Sequence, residues 1–155
     1  MEVDTRDAGA DDLDLVAALS RAATAELRPL RGGEIWSQWE ARPEPVEPAL
    51  ADLVRRDDAA VLVGMIDEVV VGYAVIAEQP LHDGRTIGHL SDLYVLPDAR
   101  GVGVGETMMD RLTEWCRERG CVGIDSIALP GDRNTKNFFE TFGLVARALR
   151  VHRAL

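Results

Sequence analysis

The sequence predicts an α+β fold, layered α-β-α, in which helices cover a mixed sheet. Three observations carry this expectation. From Ala59 the apolar residues change from helical to strand spacing; "AAVLVGMI" and "VVVGYAVIAE" follow each other across Asp67-Glu68; and Leu93 to Leu112 passes from a strand end through a proline and a glycine-rich turn into an amphipathic helix. The element order is strand, helices, hairpin run, then strand, helix, strand, helix, strand, which is the order of a mixed sheet flanked by helices.

Each element has its own signal. "EVDTRDA" reads as a first strand, and Asp11 or Asp12 caps a helix running to about Glu26. "LRPLRGG" breaks that pattern, "EIWSQWEA" forms a short helical piece with Trp36 and Trp39 one turn apart, and "ARPEPVEP" is a proline-rich turn. Val46, Ala49, Leu50, Leu53 and Val54 recur at the spacing of a second amphipathic helix, with Pro48 near its start. The hairpin at Asp67-Glu68 lacks the usual glycine. "LHDGRT" turns the chain into "IGHLSDLYVL", a strand that Pro97 closes. Met108, Leu112, Trp115 and Cys116 mark one face of the next helix, which Gly120 ends. "CVGIDSIAL" reads as a strand, "DRNTKNFFETF" as a last helix and "LVARALRVHRAL" as a final strand.

Bulk properties exclude several classes. At 155 residues and 46% hydrophobic content, residues 1–155 are expected to form one globular domain. The opening "MEVDTRDAGADDLDL" lacks the basic start and apolar core of a signal peptide. The longest apolar run, Val69 to Ala77, is too short to cross a bilayer, so a cytoplasmic protein without membrane contact is expected. Cys116 and Cys121 match neither a CxxC redox pair nor a zinc-ligand set and read as packing residues; no metal site is expected. The net charge of −10 is unevenly spread: residues 1–83 hold 7 Lys+Arg against 18 Asp+Glu, and residues 84–155 hold 10 against 9. An acidic chain without a basic stripe is a poor match for nucleic acid, whose binding depends on phosphate neutralisation.

The chemistry concentrates in "LYVLPDARGVGVGETMMDRL". A strand, a glycine turn and a helix N-terminus make an anion trap, because consecutive N–H groups point into the loop and the helix dipole adds about half a positive charge there. Arg100 supplies a charged fork, while Gly101, Gly103 and Gly105 let the backbone approach an anion. The expected ligand group is a phosphate or diphosphate. The dinucleotide fingerprint G-x-G-x-x-G fails, since Glu106 stands where its third glycine belongs, although Asp125 lies at the distance where that motif expects an acid. A P-loop fails for want of Gly-Lys-Ser/Thr. The spacing that fits is R-x-x-G-x-G, with Arg100, Gly103 and Gly105.

At these residues the sequence resembles the GCN5-related N-acetyltransferase family, whose signature is Q/R-x-x-G-x-G/A after a strand ending in an L-x-V-like pattern. "LYVLPDARGVGVG" matches it throughout, and the element order extends the resemblance over nearly the whole chain. The resemblance implies that family's fold: a mostly antiparallel mixed sheet of roughly six to seven strands with about four helices, splayed around the strand 87–96. It implies acetyl-CoA as cosubstrate, with the diphosphate on the N–H groups of Gly101, Val102, Gly103, Val104 and Gly105 beside Arg100. The pantetheine arm would pair beside Leu93, Tyr94 and Val95, and Asn134, Asn137 and Phe138 of the last helix would complete the coenzyme site. The implied reaction is attack of a primary amine on the thioester, with a backbone N–H near Tyr94 and Val95 meeting the developing oxyanion.

A protonated amine must lose its proton before or during attack. His89 is the first candidate for the base, since the family often places Glu or His there and an imidazole changes charge near neutral pH. Asp92 is the alternative, on the opposite strand face unless a bulge shifts the phase. Where many members carry a tyrosine that protonates the leaving thiolate, this chain has Phe139, which leaves Tyr94, Tyr73 or water for that step; the family's asparagine falls on Asp132. Glu34, Glu40, Glu44 and Glu47 near Trp36 and Trp39 are candidates for a wall that attracts a cationic acceptor, the competing role for both tryptophans being core anchors. The acceptor, a small-molecule or peptide amine, is not specified by any motif, and the family often pairs as homodimers through late strands, for which "ARALRVHRAL" offers an edge. A module that binds acetyl-CoA as a sensor without transfer is the alternative function.

Overall fold

In the computed structural model, residues 1–155 form a five-stranded sheet with the order β1-β2-β3-β4-β5. The strands are β1 (Val3–Asp7), β2 (Ala59–Ile66), β3 (Val69–Pro80), β4 (Thr86–Val95) and β5 (Ile124–Ser126). The helices are α1 (Leu13–Leu27), α2 (Gly33–Gln38), α3 (Val46–Arg55), α4 (Val104–Glu118) and α5 (Arg133–Thr141). β1 to β4 pair antiparallel, and β5 alone runs parallel to its neighbour β4.

Alternation along the strands splits the apolar side chains between two layers. Val61 and Val63 of β2, with Tyr73 and Val75 of β3, face Val16, Leu19 and Leu50 of α1 and α3. Leu62, Ala74, Ile76 and Leu90 point the other way, onto Val104, Met108, Met109, Leu112 and Cys116 of α4. The helix faces read from the sequence are therefore the buried ones. The α4 layer makes close approaches that only glycine permits: a Cβ on Gly88 of β4 would lie 2.5 Å from the Cys116 sulfur, and one on Gly64 of β2 would lie 2.6 Å from Val104 Cγ1. Cys116 is buried and Cys121 is half-buried, and both are free thiols.

The hairpin between β2 and β3 has the expected length. Asp67 and Glu68 both take positive φ, 47° and 68°, the geometry that normally recruits glycine. The turn is clamped from outside, since the Asp67 carboxylate accepts the Glu2 N–H at 2.7 Å while the Asp67 N–H donates to the Glu2 carbonyl at 2.8 Å.

The end of the chain departs from expectation. The sheet has five strands rather than six or seven, and the helices number five. "CVGIDSIAL" contributes only Ile124–Ser126, and "LVARALRVHRAL" contributes no strand at all. Its apolar residues do not alternate cleanly: Arg147 and Arg153 interrupt the positions of Val145, Leu149, Val151 and Leu155, so no face of it is buried. Asp12 also serves differently from a simple cap. It precedes α1, but its carboxylate turns back to accept the Gly9 N–H at 2.7 Å and to pair with Arg6.

Candidate active site

The site is built on β4, whose register against β3 slips by one residue. Leu90 faces Ile76 and Asp92 faces Val75, which leaves Ser91 without a partner as a β-bulge. The slip reverses the alternation beyond it. His89, opposite Ala77, and Asp92, opposite Val75, consequently share the sheet face that α1 and α3 cover.

Past the bulge β4 also loses its neighbour. β5 pairs only with Gly88, His89 and Leu90, and a bond from Ser126 Oγ to the Leu90 carbonyl at 2.8 Å marks the end of contact. The Leu96 N–H donates to the Val71 carbonyl at 2.9 Å. By the alternation of an antiparallel pair, Leu93 and Val95 then turn their N–H and C=O groups away from β3 and into the gap beyond β5.

The gap leads to the glycine loop. Gly101 and Gly103 have φ of 83° and 103°, and a Cβ built on either meets nothing within 4 Å, so the bend is not plugged by side chains. Gly103 is the N-cap of α4, and the first helical turn closes with the Thr107 N–H on the Gly103 carbonyl at 3.0 Å. From Gly101 through Glu106, no backbone N–H donates to an acceptor in the protein. These donors sit at the positive end of the helix dipole. Phe138 of α5 packs on the loop, its ring 3.3 Å from where a Cβ of Gly105 would stand.

Several predicted residues are drawn into local networks. The Asp92 carboxylate accepts from Arg42 at 2.6 Å, from the Tyr73 hydroxyl at 2.7 Å and from Ser91 Oγ at 2.6 Å, and the Arg42–Asp92 pair is largely buried. Burial, reinforced by the Asp92 charge, pushes the Tyr73 phenol well above its ordinary pKa. Arg100 forks onto Glu26 of α1 at 3.0 and 2.8 Å, donates to the Val95 carbonyl at 2.8 Å and stacks over the Tyr94 ring. Burial and the nearby Glu26 carboxylate also raise the Tyr94 phenol. Both phenols therefore hold their protons at neutral pH.

His89 is exposed and stands opposite Asp125 of β5. Asp125 is held below the ordinary carboxylate range, chiefly by hydrogen bonds from Arg147 and further by the charge of His89. Asn134 and Asn137 are exposed on α5, whose cap is Asp132, accepting from the Thr135 N–H at 3.2 Å. Phe139 lies buried in the α4 layer.

The expected acidic wall is largely occupied by arginines: Arg28 takes Glu34, Arg21 takes Glu44 and Glu47, and Arg150 takes Glu40. Trp39 is 70% exposed rather than a core anchor, and Arg150 lies over its ring at 5.2 Å. Sequence reasoning missed Arg42, Glu26 and the arginines of the final segment. Arg42 stands between Trp39 and the prolines of "ARPEPVEP", a stretch that reads locally only as a turn.

Comparison with known proteins identifies the family. The family model described as "Acetyltransferase (GNAT) family" matches residues 23–144. A glucosamine 6-phosphate N-acetyltransferase of Trypanosoma brucei brucei is 33% identical over 79 residues, which are 50% of this chain and 52% of that protein. The chain spans about half the length of that relative, as it does for an uncharacterised N-acetyltransferase of Archaeoglobus fulgidus at 32% identity. Among solved structures, a tetramutant protein from Bacillus halodurans superposes with a TM-score of 0.81 at 22% identity, covering 100% of both chains.

Proposed function

Since this chain belongs to the GNAT acetyltransferase family, we propose that it transfers an acetyl group from acetyl-CoA to a primary amine in a ternary complex. The observation that carries the reading is the run of unpartnered N–H donors from Gly101 to Glu106, bent by two left-handed glycines and adjoining the open edge of β4. An anionic diphosphate matches those donors in charge and in approach, because nothing occupies the space beside Gly101 and Gly103. The edge of Leu93 and the Val95 N–H suits an amide-bearing arm that pairs as a strand would, the Val95 carbonyl being taken by Arg100. Phe138 supplies an apolar wall against Gly105.

The cosubstrate supplies an activated thioester carbonyl; the chain's part is to hold it, withdraw a proton and stabilise charge. In this reading the Val95 N–H, turned into the gap, donates to the carbonyl oxygen as it becomes negative. His89, exposed on the bulged strand, accepts the amine proton directly or through water. Asp92 has its acceptor capacity engaged by Arg42, Tyr73 and Ser91, which supports a positioning role: it fixes the bulge that carries His89 to the acceptor face. Arg100, committed to Glu26 and the Val95 carbonyl, braces the strand end against α1.

Neither phenol is placed as an acid of ordinary strength, and Phe139 is packing. A thiol of reference pKa about 8.5 leaves without obligatory protonation, so the absence of a phenol at that position is compatible with turnover. It also keeps the sensor alternative in view, a protein that binds acetyl-CoA and transfers nothing. One assay separates the two: release of free thiol from acetyl-CoA over a panel of primary amines is expected of the enzyme, whereas binding heat without thiol release with any amine would reject transfer. Absence of binding heat would reject both. His89→Ala is expected to lower kcat at least tenfold, measured as the rate of thiol release.

A further inference from the structure

The residues after Leu144 are tied down in an unusual way. Val145–Leu155 makes no backbone–backbone hydrogen bond to the rest of the chain, and Val145, Leu149 and Val151 are more than 80% exposed, so neither a ladder nor apolar burial holds the segment. Its polar ties are side-chain contacts of two arginines. Arg147 Nε donates to both oxygens of Asp125, at 2.9 and 2.8 Å, and Arg150 pairs with Glu40 while lying over the Trp39 ring.

The placement of those two anchors carries the argument. Asp125 is the β5 residue that faces His89. Trp39 and Glu40 lie just before Arg42, which grips Asp92. The anchors therefore bracket the His89–Asp92 stretch of β4. Three residues of chain reach at most about 10 Å, so the backbones of Arg147 and Arg150, which hold these two anchors, lie within that distance of each other. One Glu40 carboxylate oxygen is buried and still lacks a partner, so that side retains unused acceptor capacity. The guanidinium ends of both pairs are exposed while their acids are largely buried, and an ion pair open to solvent at one end is a weak hold, readily exchanged for another cation.

We propose that Val145–Leu155 is a displaceable internal occupant of the acceptor side, and that the groups its two arginines engage select amines carrying a second, guanidinium-like cation. The proposal rests on the acetyl-transfer reading for its biological meaning but not for its test. In this arrangement an acceptor places its distant cation on Trp39 and Glu40 or on Asp125, releases the corresponding arginine, and presents its free amine at His89.

The test uses agmatine, a primary amine with a guanidinium at its far end, and butylamine, which lacks the second cation. Binding to the full chain is measured by calorimetry without acetyl-CoA. Arg147→Ala with Arg150→Ala, both exposed side chains, is expected to tighten agmatine binding at least fivefold and to leave butylamine unchanged. Adding Glu40→Gln and Asp125→Asn should remove the gain. Equal agmatine affinity before and after the arginine changes, no agmatine binding at all, or an equal gain for butylamine would each overturn the proposal. Thiol release from acetyl-CoA, measured separately, reports on the transfer reading alone.

Discussion

At the scale of single residues, Asp92 and Gly103 illustrate two kinds of constraint. Asp92 holds a mostly buried guanidinium, so Asp92→Ala leaves the Arg42 charge uncompensated and is expected to cost about 3 kcal/mol, measured by urea unfolding. Asp92→Asn, which keeps two polar atoms toward Tyr73 and Ser91, should cost less. Gly103 bears its constraint in the backbone. With φ at 103°, Gly103→Ala is expected to destabilise by roughly 1–2 kcal/mol and to weaken acetyl-CoA binding more than tenfold in calorimetry. The glycine's role was legible because its spacing after a strand has a local physical meaning. Arg42 was not: nothing within "ARPEPVEP" signals a partner 50 positions away, and only the folded chain brings them together.

Elements were legible where periodicity acts alone and lost where context overrides it. α3 and α4 follow their apolar stripes because one face must be buried, and the hairpin of β2 and β3 follows from alternation. The bulge at Ser91 has no sequence signature of its own, yet it decides which face His89 and Asp92 share. The final strand failed for the opposite reason: its composition suits a strand, but arginines on both faces leave nothing to bury. The Asp67-Glu68 turn offers a test at this scale. Glu68 adopts a conformation that favours glycine, so Glu68→Gly is expected to raise Tm by roughly 2–4 °C in thermal unfolding. Asp67, bonded to Glu2 from both its backbone and its side chain, should not tolerate the same change.

Over the whole molecule, a net charge of −10 is tempered by arginines that pair with acids at close range. Asp12, Glu34, Glu44, Glu47, Asp58 and Asp125 all sit below their ordinary range, chiefly because Arg6, Arg28, Arg21, Arg56 and Arg147 donate hydrogen bonds to them. A carboxylate depressed on folding contributes stability above its unfolded value, near pH 4, and loses it as pH falls through the lower folded value. Tm is therefore expected to stay level between about pH 5 and 8 and to decline below about pH 4, and since most of these carboxylates, Asp12 and Asp125 aside, are exposed, the decline should be shallow. A maximum of Tm below pH 4 would contradict this assignment. The charge imbalance between halves was visible in the sequence; its neutralisation pair by pair depends on which loops meet.

The wedge of Cys116 against Gly88 has a practical consequence. Burial lifts that thiol to about 12, so at pH 8 it is protonated and shielded, and it should ignore iodoacetamide while α4 rests on β4. Half-buried Cys121 alkylates on its own schedule, which mass spectrometry resolves peptide by peptide. The slower carbamidomethylation, at Cys116, then becomes a clock for how often the helix behind the glycine bend lifts away, and a ligand seated on that bend should slow it.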